Sequence, residues 1–292
     1  MLRCYDRVRK KVDKFLNLLY ESNIKNQFIK SNEVDISSNI PCVFRGITRI
    51  ELIKQCLDNN IEFFYIDTGY MGCYPHKKWH RFVKNNFQNL NHMSLEEIKN
   101  KIDIKVALNR FKQILQKDYQ DFFPIKKQTG ENILIIPPTP KVLSCLKVLK
   151  PFDLNVEQWI EKTIKEIKKY TDRNIIIRKK PNRNIRVKHN RLTDQLINDK
   201  IHCVVSFTSI ASFEAVTQGY PTITLGPSAA NYLAEKSISN IDNPFFPNDE
   251  QIKEHMFYLT VCQFNKDELK NGYAVETTIA LQHNQKYINF NI

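Results

Sequence analysis

Short apolar runs alternate with amphipathic stretches along the whole chain. Cys42-Val43-Phe44, Phe63 to Ile66, Ile133 to Ile136, Asn174 to Ile177 and Cys203-Val204-Val205 have the length and uniform apolarity of buried parallel strands. Between them, apolar positions recur at helical spacing. Val8, Val12, Phe15, Leu16 and Leu19 predict a helix over 5–22, and Ile50 to Leu57 a second. Leu108, Phe111, Leu115 and Tyr119 predict a helix over 105–120, and Trp159, Ile160, Thr163, Ile164 and Ile167 another. Ser94-x-x-Glu97, Asn155-x-x-Gln158 and Asn248-x-x-Gln251 have the form of capping boxes, and the segment after the last of these predicts a helix to about Val261. Strands alternating with helices predict an α/β chain with parallel sheets. Pro, Gly and charge interrupt the pattern at residues 124–131, PIKKQTGE, which reads as a linker. The expected architecture is two Rossmann-like domains, residues 1–127 and 128–292, facing a cleft. Ligands in such folds bind beyond the carboxyl ends of the strands. That rule selects four loops: Arg45-Gly46, Asp67 to Arg81, Arg178 to Arg191, and Ser206 to Ser209.

The richest stretch is Ile201 to Ser228, IHCVVSFTSIASFEAVTQGYPTITLGPS. An apolar strand ends in a hydroxyl-rich corner, Ser206, Thr208 and Ser209. A helix follows with Ile210, Phe213 and Val216 on one side and Gly219 placed to end it. Pro221 blocks further helix, and Thr222 to Leu225 reads as the next strand. The corner puts hydroxyls and free backbone N–H groups at a helix N-terminus, where a phosphate is stabilised by hydrogen bonds and by the helix dipole. The plainer alternative is that Thr208 or Ser209 only caps the helix.

Composition narrows the class. The apolar fraction of 42% and charged fraction of 26% suit a soluble globular chain of two domains. No apolar run is long enough to span a membrane, and the N-terminus lacks the apolar core of a secretory signal. Seven scattered cysteines without a CxxC pair argue against a disulfide framework or a zinc site, and for a reducing cytoplasm. The net charge is +13. Residues 1–130 hold 23 Lys and Arg against 14 Asp and Glu, so most of the excess lies in the first half. A basic surface implies a polyanionic partner, although a Lys- and Asn-rich composition gives the same balance without one.

The run IIIRKKP…VVSFTSIASFEAVTQGYPTITLGPSA resembles the donor half of GT-B glycosyltransferases, especially capsule-type and bacteriophage-encoded ones. The resemblance covers roughly residues 131–236, and related nucleotide-sugar epimerases share much of the motif. It implies a GT-B fold and a nucleotide-sugar substrate, a UDP-sugar by expectation, with no tightly bound cofactor and no metal. It also implies that Ser206, Thr208 and Ser209 hold the diphosphate and that Glu214 binds ribose hydroxyls. A solvated helix position is the ordinary reading of Glu214.

Other residues add chemistry. Arg178, Lys179 and Lys180 leave the end of a strand, and seven Lys and Arg without an acid lie between Arg178 and Arg191. Phosphate contact is expected for Arg178 and Lys180, where a cation would stabilise a departing pyrophosphate. Asp67 ends a strand at the cleft and is the candidate general base for an acceptor hydroxyl, though Asp before Thr-Gly is also a common turn residue. Arg45 and Gly46 are candidates for close backbone approach to acceptor or donor phosphate. His76, Lys77, Lys78, Trp79, His80 and Arg81 mix cations with an aromatic ring, which suits contact with nucleic acid or, equally, a packed surface loop. His76 and His80 have metal-ligand spacing but no evident third ligand.

Taken together these features predict a transferase acting on a hydroxymethylated base of phage double-stranded DNA, flipped into the cleft. Two alternatives stand beside it: a capsule or lipopolysaccharide sugar transferase, and a non-catalytic nucleic-acid-binding protein.

Overall fold

The computed structural model describes residues 1–5, 16, 17, 19, 26–29, 33–35, 37, 39–72, 78–149, 153–178, 180, 191–283 and 287. The strands, in chain order, are β1 (Leu2–Tyr5), β2 (Asn26–Ile29), β3 (Cys42–Arg45), β4 (Phe63–Thr68), β5 (His80–Lys84), β6 (Asn132–Ile136), β7 (Ile175–Ile177), β8 (Ile201–Ser206), β9 (Thr222–Thr224) and β10 (Gln263–Phe264). Helices α1 (Ile50–Asp58), α2 (Leu95–Lys99), α3 (Ile104–Leu115), α4 (Pro140–Leu149) and α5 (Val156–Ile167) come first. They are followed by α6 (Leu192–Asn198), α7 (Ile210–Thr217), α8 (Asp249–Val261), α9 (Lys266–Lys270) and α10 (Tyr273–Leu281). The capping boxes at Ser94 and Asn155 form as the spacing predicts, each side chain bonding the partner's backbone N–H.

The chain divides into two compact units. The first comprises Met1–Tyr119 and Phe257–Ile288 with Val148–Pro151; the second comprises Phe152–Met256 with Gln120–Lys147. The sheet of the first unit runs β10-β5-β4-β3-β1-β2. Strands β1 to β4 are mutually parallel, β5 is antiparallel to β4, and β10 is antiparallel to β5. The sheet of the second unit runs β7-β6-β8-β9, parallel throughout. Each unit therefore has its first strand flanked by its second and third. The chain changes direction across the sheet at β1/β3 in one unit and at β6/β8 in the other, and such switch points open a crevice at the carboxyl ends of the strands.

Burial explains the strands. Every residue of β1 is buried, as a parallel strand covered on both faces must be. Leu2, Cys4, Val43, Phe64, Ile66 and Phe82 form one core cluster with Phe264, Leu269, Ala274 and Val275. The C-terminal segment is thus part of the first unit, which corrects the expected second domain of 128–292. Gln263 and Phe264 pair with Arg81 and His80, and Leu269 of α9 and Ala274 and Val275 of α10 are buried in this core. In the second unit, Leu134, Ile136, Ile201 and Val204 pack against Leu192 and Leu196 of α6 and Ala215 of α7.

Two further elements depart from expectation. Leu2–Tyr5 is a strand, while the helix expected over 5–22 is represented among the described residues by Leu16, Asn17 and Leu19, which are helical. His80–Lys84, expected as loop, is the buried strand β5. Among the described residues no helix is long and apolar enough to cross a membrane.

Candidate active site

In the second unit the switch point is framed by the ends of β6 and β8. Ser206 is the last residue of β8, between Ile136 of β6 and Thr224 of β9. Its side chain is fully buried, and Ser206 Oγ has no hydrogen-bond partner among the described residues. A buried hydroxyl without a partner is costly, and such groups concentrate where a ligand completes them. Three residues on, Ser209 is the N-cap of α7, its Oγ accepting from the Ala211 N–H at 3.1 Å. The capping alternative is therefore realised at Ser209, whose O–H remains a donor. Thr208 is half-buried in the same corner.

A second layer holds the corner in shape. Ser212 Oγ lies 2.7 Å from Ser228 Oγ and donates to the Ser209 carbonyl. Asn231 Oδ1 accepts from Thr224 Oγ1 and from the Ser228 N–H, both at 3.1 Å. The loop after β9 is thus tied to the N-terminus of α7. Sequence reasoning did not select Ser212, Ser228 or Asn231. The only trace of them is a density of small hydroxyl and amide residues around Gly226-Pro227.

Arg178 follows directly on β7, its N–H donating to Ile135 O at 2.8 Å, so it sits at the same carboxyl edge two strands from Ser206. Neighbouring strands are about 4.8 Å apart, giving a separation near the reach of an arginine. The guanidinium is half-buried; burial pulls its pKa down, and the negative charge of Glu214 opposes that shift. Glu214, on the exposed side of α7, is therefore close enough to Arg178 to act on it electrostatically. Arg178 and Ser206 lie at the carboxyl edge of one sheet, and Thr208, Ser209 and Glu214 follow Ser206 into α7. Lys180 is exposed just beyond Arg178, and residues 179 and 181–190 lie outside the described residues.

In the first unit, Asp67 is enclosed by cations. Its Oδ1 is 3.0 Å from Arg45 Nη1 and accepts the Thr68 N–H at 2.8 Å. Its Oδ2 is 3.5 Å from Arg81 Nη2 and accepts from Tyr65 OH at 3.0 Å. Burial pushes the carboxyl pKa up, but Arg81, Arg45 and the Thr68 N–H together hold it well below the usual carboxylate range. A general base works best with a pKa near the operating pH, so this carboxylate is a poor proton acceptor. In this structure Asp67 anchors ion pairs to Arg45 and Arg81. Arg45 also donates to the Ile66 carbonyl at 2.9 Å, and its side chain is 11% exposed. Gly46, with φ of +66°, starts the 3-10 turn that leads into α1.

The expected cation-aromatic loop is rearranged by burial. Trp79, His80 and Arg81 are 2%, 1% and 5% exposed. Arg81 donates to Thr68 O at 2.7 Å and Phe87 O at 3.0 Å and lies over the rings of Tyr65 and Tyr70. Trp79 is covered by Arg110, 5.8 Å above its ring. These three side chains belong to the core, which corrects their assignment to acceptor contact. Lys78 is exposed, and His76 and Lys77 lie outside the described residues. Among the described residues no cluster of three or more His, Cys, Asp or Glu is placed to hold a metal.

No protein-family model and no curated protein matches the chain. Among solved structures it is similar to the KpsC beta Kdo 2,7 transferase of Thermosulfurimonas dismutans, with 14% identity, a TM-score of 0.49, and 95% of this chain and 98% of that one covered. It is also similar to the KpsC beta Kdo 2,4 transferase of the same organism, with 12% identity, a TM-score of 0.47, and 96% and 98% covered.

Proposed function

We propose that this chain is a glycosyltransferase that moves a sugar from a nucleotide-sugar donor to a hydroxyl of a saccharide acceptor. The observation that carries the reading is Ser206 Oγ, buried and unpartnered at a switch point, beside the N-terminus of α7. In this reading the donor phosphates lie at Ser206, Thr208 and Ser209. The N-terminal end of α7 brings its dipole to them, and Arg178 and Lys180 flank them. Glu214 takes the ribose hydroxyls.

The acceptor oxygen attacks the anomeric carbon, and the bond from that carbon to the phosphate oxygen breaks. The bonding electrons leave with the nucleoside phosphate, and the acceptor's proton passes to water or to the departing phosphate. Negative charge grows on the departing phosphate, where a fixed cation and preset N–H donors stabilise the transition state more than the ground state. Proton removal is not assigned to Asp67, whose lone pairs are already taken by Arg45, Arg81, Tyr65 and the Thr68 N–H.

A saccharide acceptor is favoured over duplex DNA. The ring and cations that argued for stacking and phosphate contact, Trp79, His80 and Arg81, are buried and bonded within the first unit. The same burial withdraws support from a purely nucleic-acid-binding role.

The test is a thermal-shift screen of the intact chain against nucleoside mono- and diphosphates and their sugars, followed by transfer assays. Those assays would use oligosaccharides and hydroxymethylated duplex DNA as acceptors. Stabilisation by at least one nucleotide or nucleotide sugar, with transfer to a saccharide, is expected. Absence of any nucleotide-dependent stabilisation would remove the transferase reading, and transfer to DNA alone would reverse the choice of acceptor.

A further inference from the structure

We infer that Asn231 is a binding residue of this site, its side-chain NH2 donating to a phosphoryl oxygen of the group held at the corner after β8. The inference rests on the donor-site reading above and deepens it.

Asn231 closes a short turn in the loop after β9. Its backbone N–H donates to the Ser228 carbonyl at 3.0 Å, and the Ser228 N–H donates back to Asn231 Oδ1 at 3.1 Å. A backbone N–H only donates, so the atom it meets is the amide oxygen, and the orientation of the side chain is determined. Thr224 Oγ1 donates to the same oxygen at 3.1 Å. Both lone pairs of Oδ1 are thus taken by the protein, while the NH2 group carries two donors without a partner among the described residues. Asn231 is half-buried, and its Nδ2 reaches solvent.

Two bonded paths place this amide at the corner. Thr224, which it holds, is the in-register partner of Ser206 on the neighbouring parallel strand, about 4.8 Å away. Ser228, which it also holds, has its Oγ 2.7 Å from Ser212 Oγ and 3.4 Å from the Ser209 carbonyl, at the start of α7. Ser212 and Ser228 are fully buried and spend their hydroxyl protons inside this network, so they brace the amide and do not meet the ligand. The groups left to a ligand are the Ser206 hydroxyl, the Ser209 hydroxyl and the Asn231 NH2.

The choice of amide has a chemical consequence. An NH2 group donates and cannot accept, and an ionised phosphoryl oxygen accepts and cannot donate, so the two match in one direction only. An aspartate at 231 would fit the same space and keep both bonds to Oδ1, since a carboxylate accepts from Thr224 and Ser228 equally well. Only the ligand-facing end would change, from a pair of donors to an anion. The bracing role of Asn231 tolerates that exchange, and a phosphate contact does not.

The experiment compares the intact wild-type chain with Asn231→Asp and Asn231→Ala by calorimetric titration at low and high salt, using inorganic pyrophosphate and UDP as probes. Asn231→Asp is expected to melt like wild type without ligand and to bind pyrophosphate and UDP about tenfold less tightly or worse, the loss of one charge-assisted contact. Asn231→Ala removes the donors without adding charge, and about a tenfold loss is expected there too, with a lower melting temperature from the two lost braces. A charge acting through space would weaken binding in Asn231→Asp alone and fade at high salt, whereas a missing donor shows in both variants at both salts. Wild-type-like pyrophosphate affinity in Asn231→Ala would therefore overturn the contact. The same affinity in Asn231→Asp would leave Asn231 a brace only, and absence of pyrophosphate binding by the wild type would overturn the contact as well. Pyrophosphate binding weakened by both substitutions, with no tighter binding of any nucleotide, would uphold the contact while overturning the donor reading.

Discussion

Asp67 meets Arg45 at 3.0 Å through one carboxylate oxygen and Arg81 at 3.5 Å through the other, so one acid ties the ends of β3, β4 and β5 together. Its folded-state pKa is held below the unfolded value by the two arginines, against the opposing effect of burial. A depressed carboxylate pKa contributes stability that is complete above the unfolded value of about 3.9 and lost as pH falls through the folded value. The Asp67 side chain is 36% exposed, so solvent screens the pairs, and Asp67→Asn should lower stability by about 1 kcal/mol at neutral pH. The gap between variant and wild type should narrow as pH drops below about 4. Urea unfolding at pH 7 and pH 3 measures this directly; a gap that stays constant would show that the ion pairs contribute nothing.

A more deeply buried pair makes a different prediction. Arg110 of α3 forms a two-pronged ion pair with Glu268 of α9 and also donates to the Gln263 carbonyl at 2.7 Å. Glu268 in turn completes the capping box of α9 through the Asn265 N–H. The arginine side chain is 3% exposed, so removing its partner strands a charge. Glu268→Ala should cost about 3–5 kcal/mol, while replacing both residues by Met should cost less than the sum of the single changes. Chemical denaturation of the two singles and the double gives the coupling energy, and additive losses would argue against a direct pair.

The contrast between these arginines and the donor corner shows what the chain reveals before it folds. The runs at Phe63, Ile133 and Cys203 were readable as strands because both faces of a parallel sheet are covered, so apolarity is continuous. The boxes at Ser94 and Asn155 were readable because capping is local chemistry at fixed spacing. The corner at Ser206 to Ser209 was readable for the same reason. His80–Lys84 was not. Its charges look solvated until Asp67 reaches Arg81 and Glu62 reaches Lys84 from the strand beside it, and those partners are set by tertiary register. Leu2–Tyr5 was hidden because a four-residue strand lies against a predicted helix start. The return of Gln263 and Phe264 to the first sheet was hidden because two residues carry no periodicity. The bond from Arg178 to Gln195 left no signal either, since it depends on where α6 brings the amide.

Gly226 gives a prediction that links packing to the site. A Cβ built there would sit 2.7 Å from Cε2 of Phe207, closer than such atoms approach. Phe207 is 1% exposed, and its ring lies 6.2 Å from that of Trp159. The ring has little room to yield, and it is the residue immediately after Ser206. Gly226→Ala should therefore cost about 1–3 kcal/mol of overpacking. It should also weaken nucleotide binding more than a loss of fold of that size explains, because the displaced Phe207 drags the corner. Melting temperature and ligand titration on the same preparation separate the two effects. Unchanged affinity in a destabilised variant would mean that Phe207 moves without the corner.

Ser206 itself supplies the sharpest sign test. Most deletions of a buried polar group reduce stability because a partner is left behind. Ser206 Oγ has none among the described residues, so Ser206→Ala removes a buried hydroxyl without orphaning another atom. Without ligand, the variant should be as stable as wild type or more stable, by about 0–2 kcal/mol. With a nucleoside phosphate the order should invert, the variant binding about tenfold less tightly for want of one hydrogen bond to a charged oxygen. Thermal melting with and without ligand reads both signs in one experiment. A variant that is less stable in both conditions, by the same amount, would mean that the hydroxyl serves the fold and not a ligand.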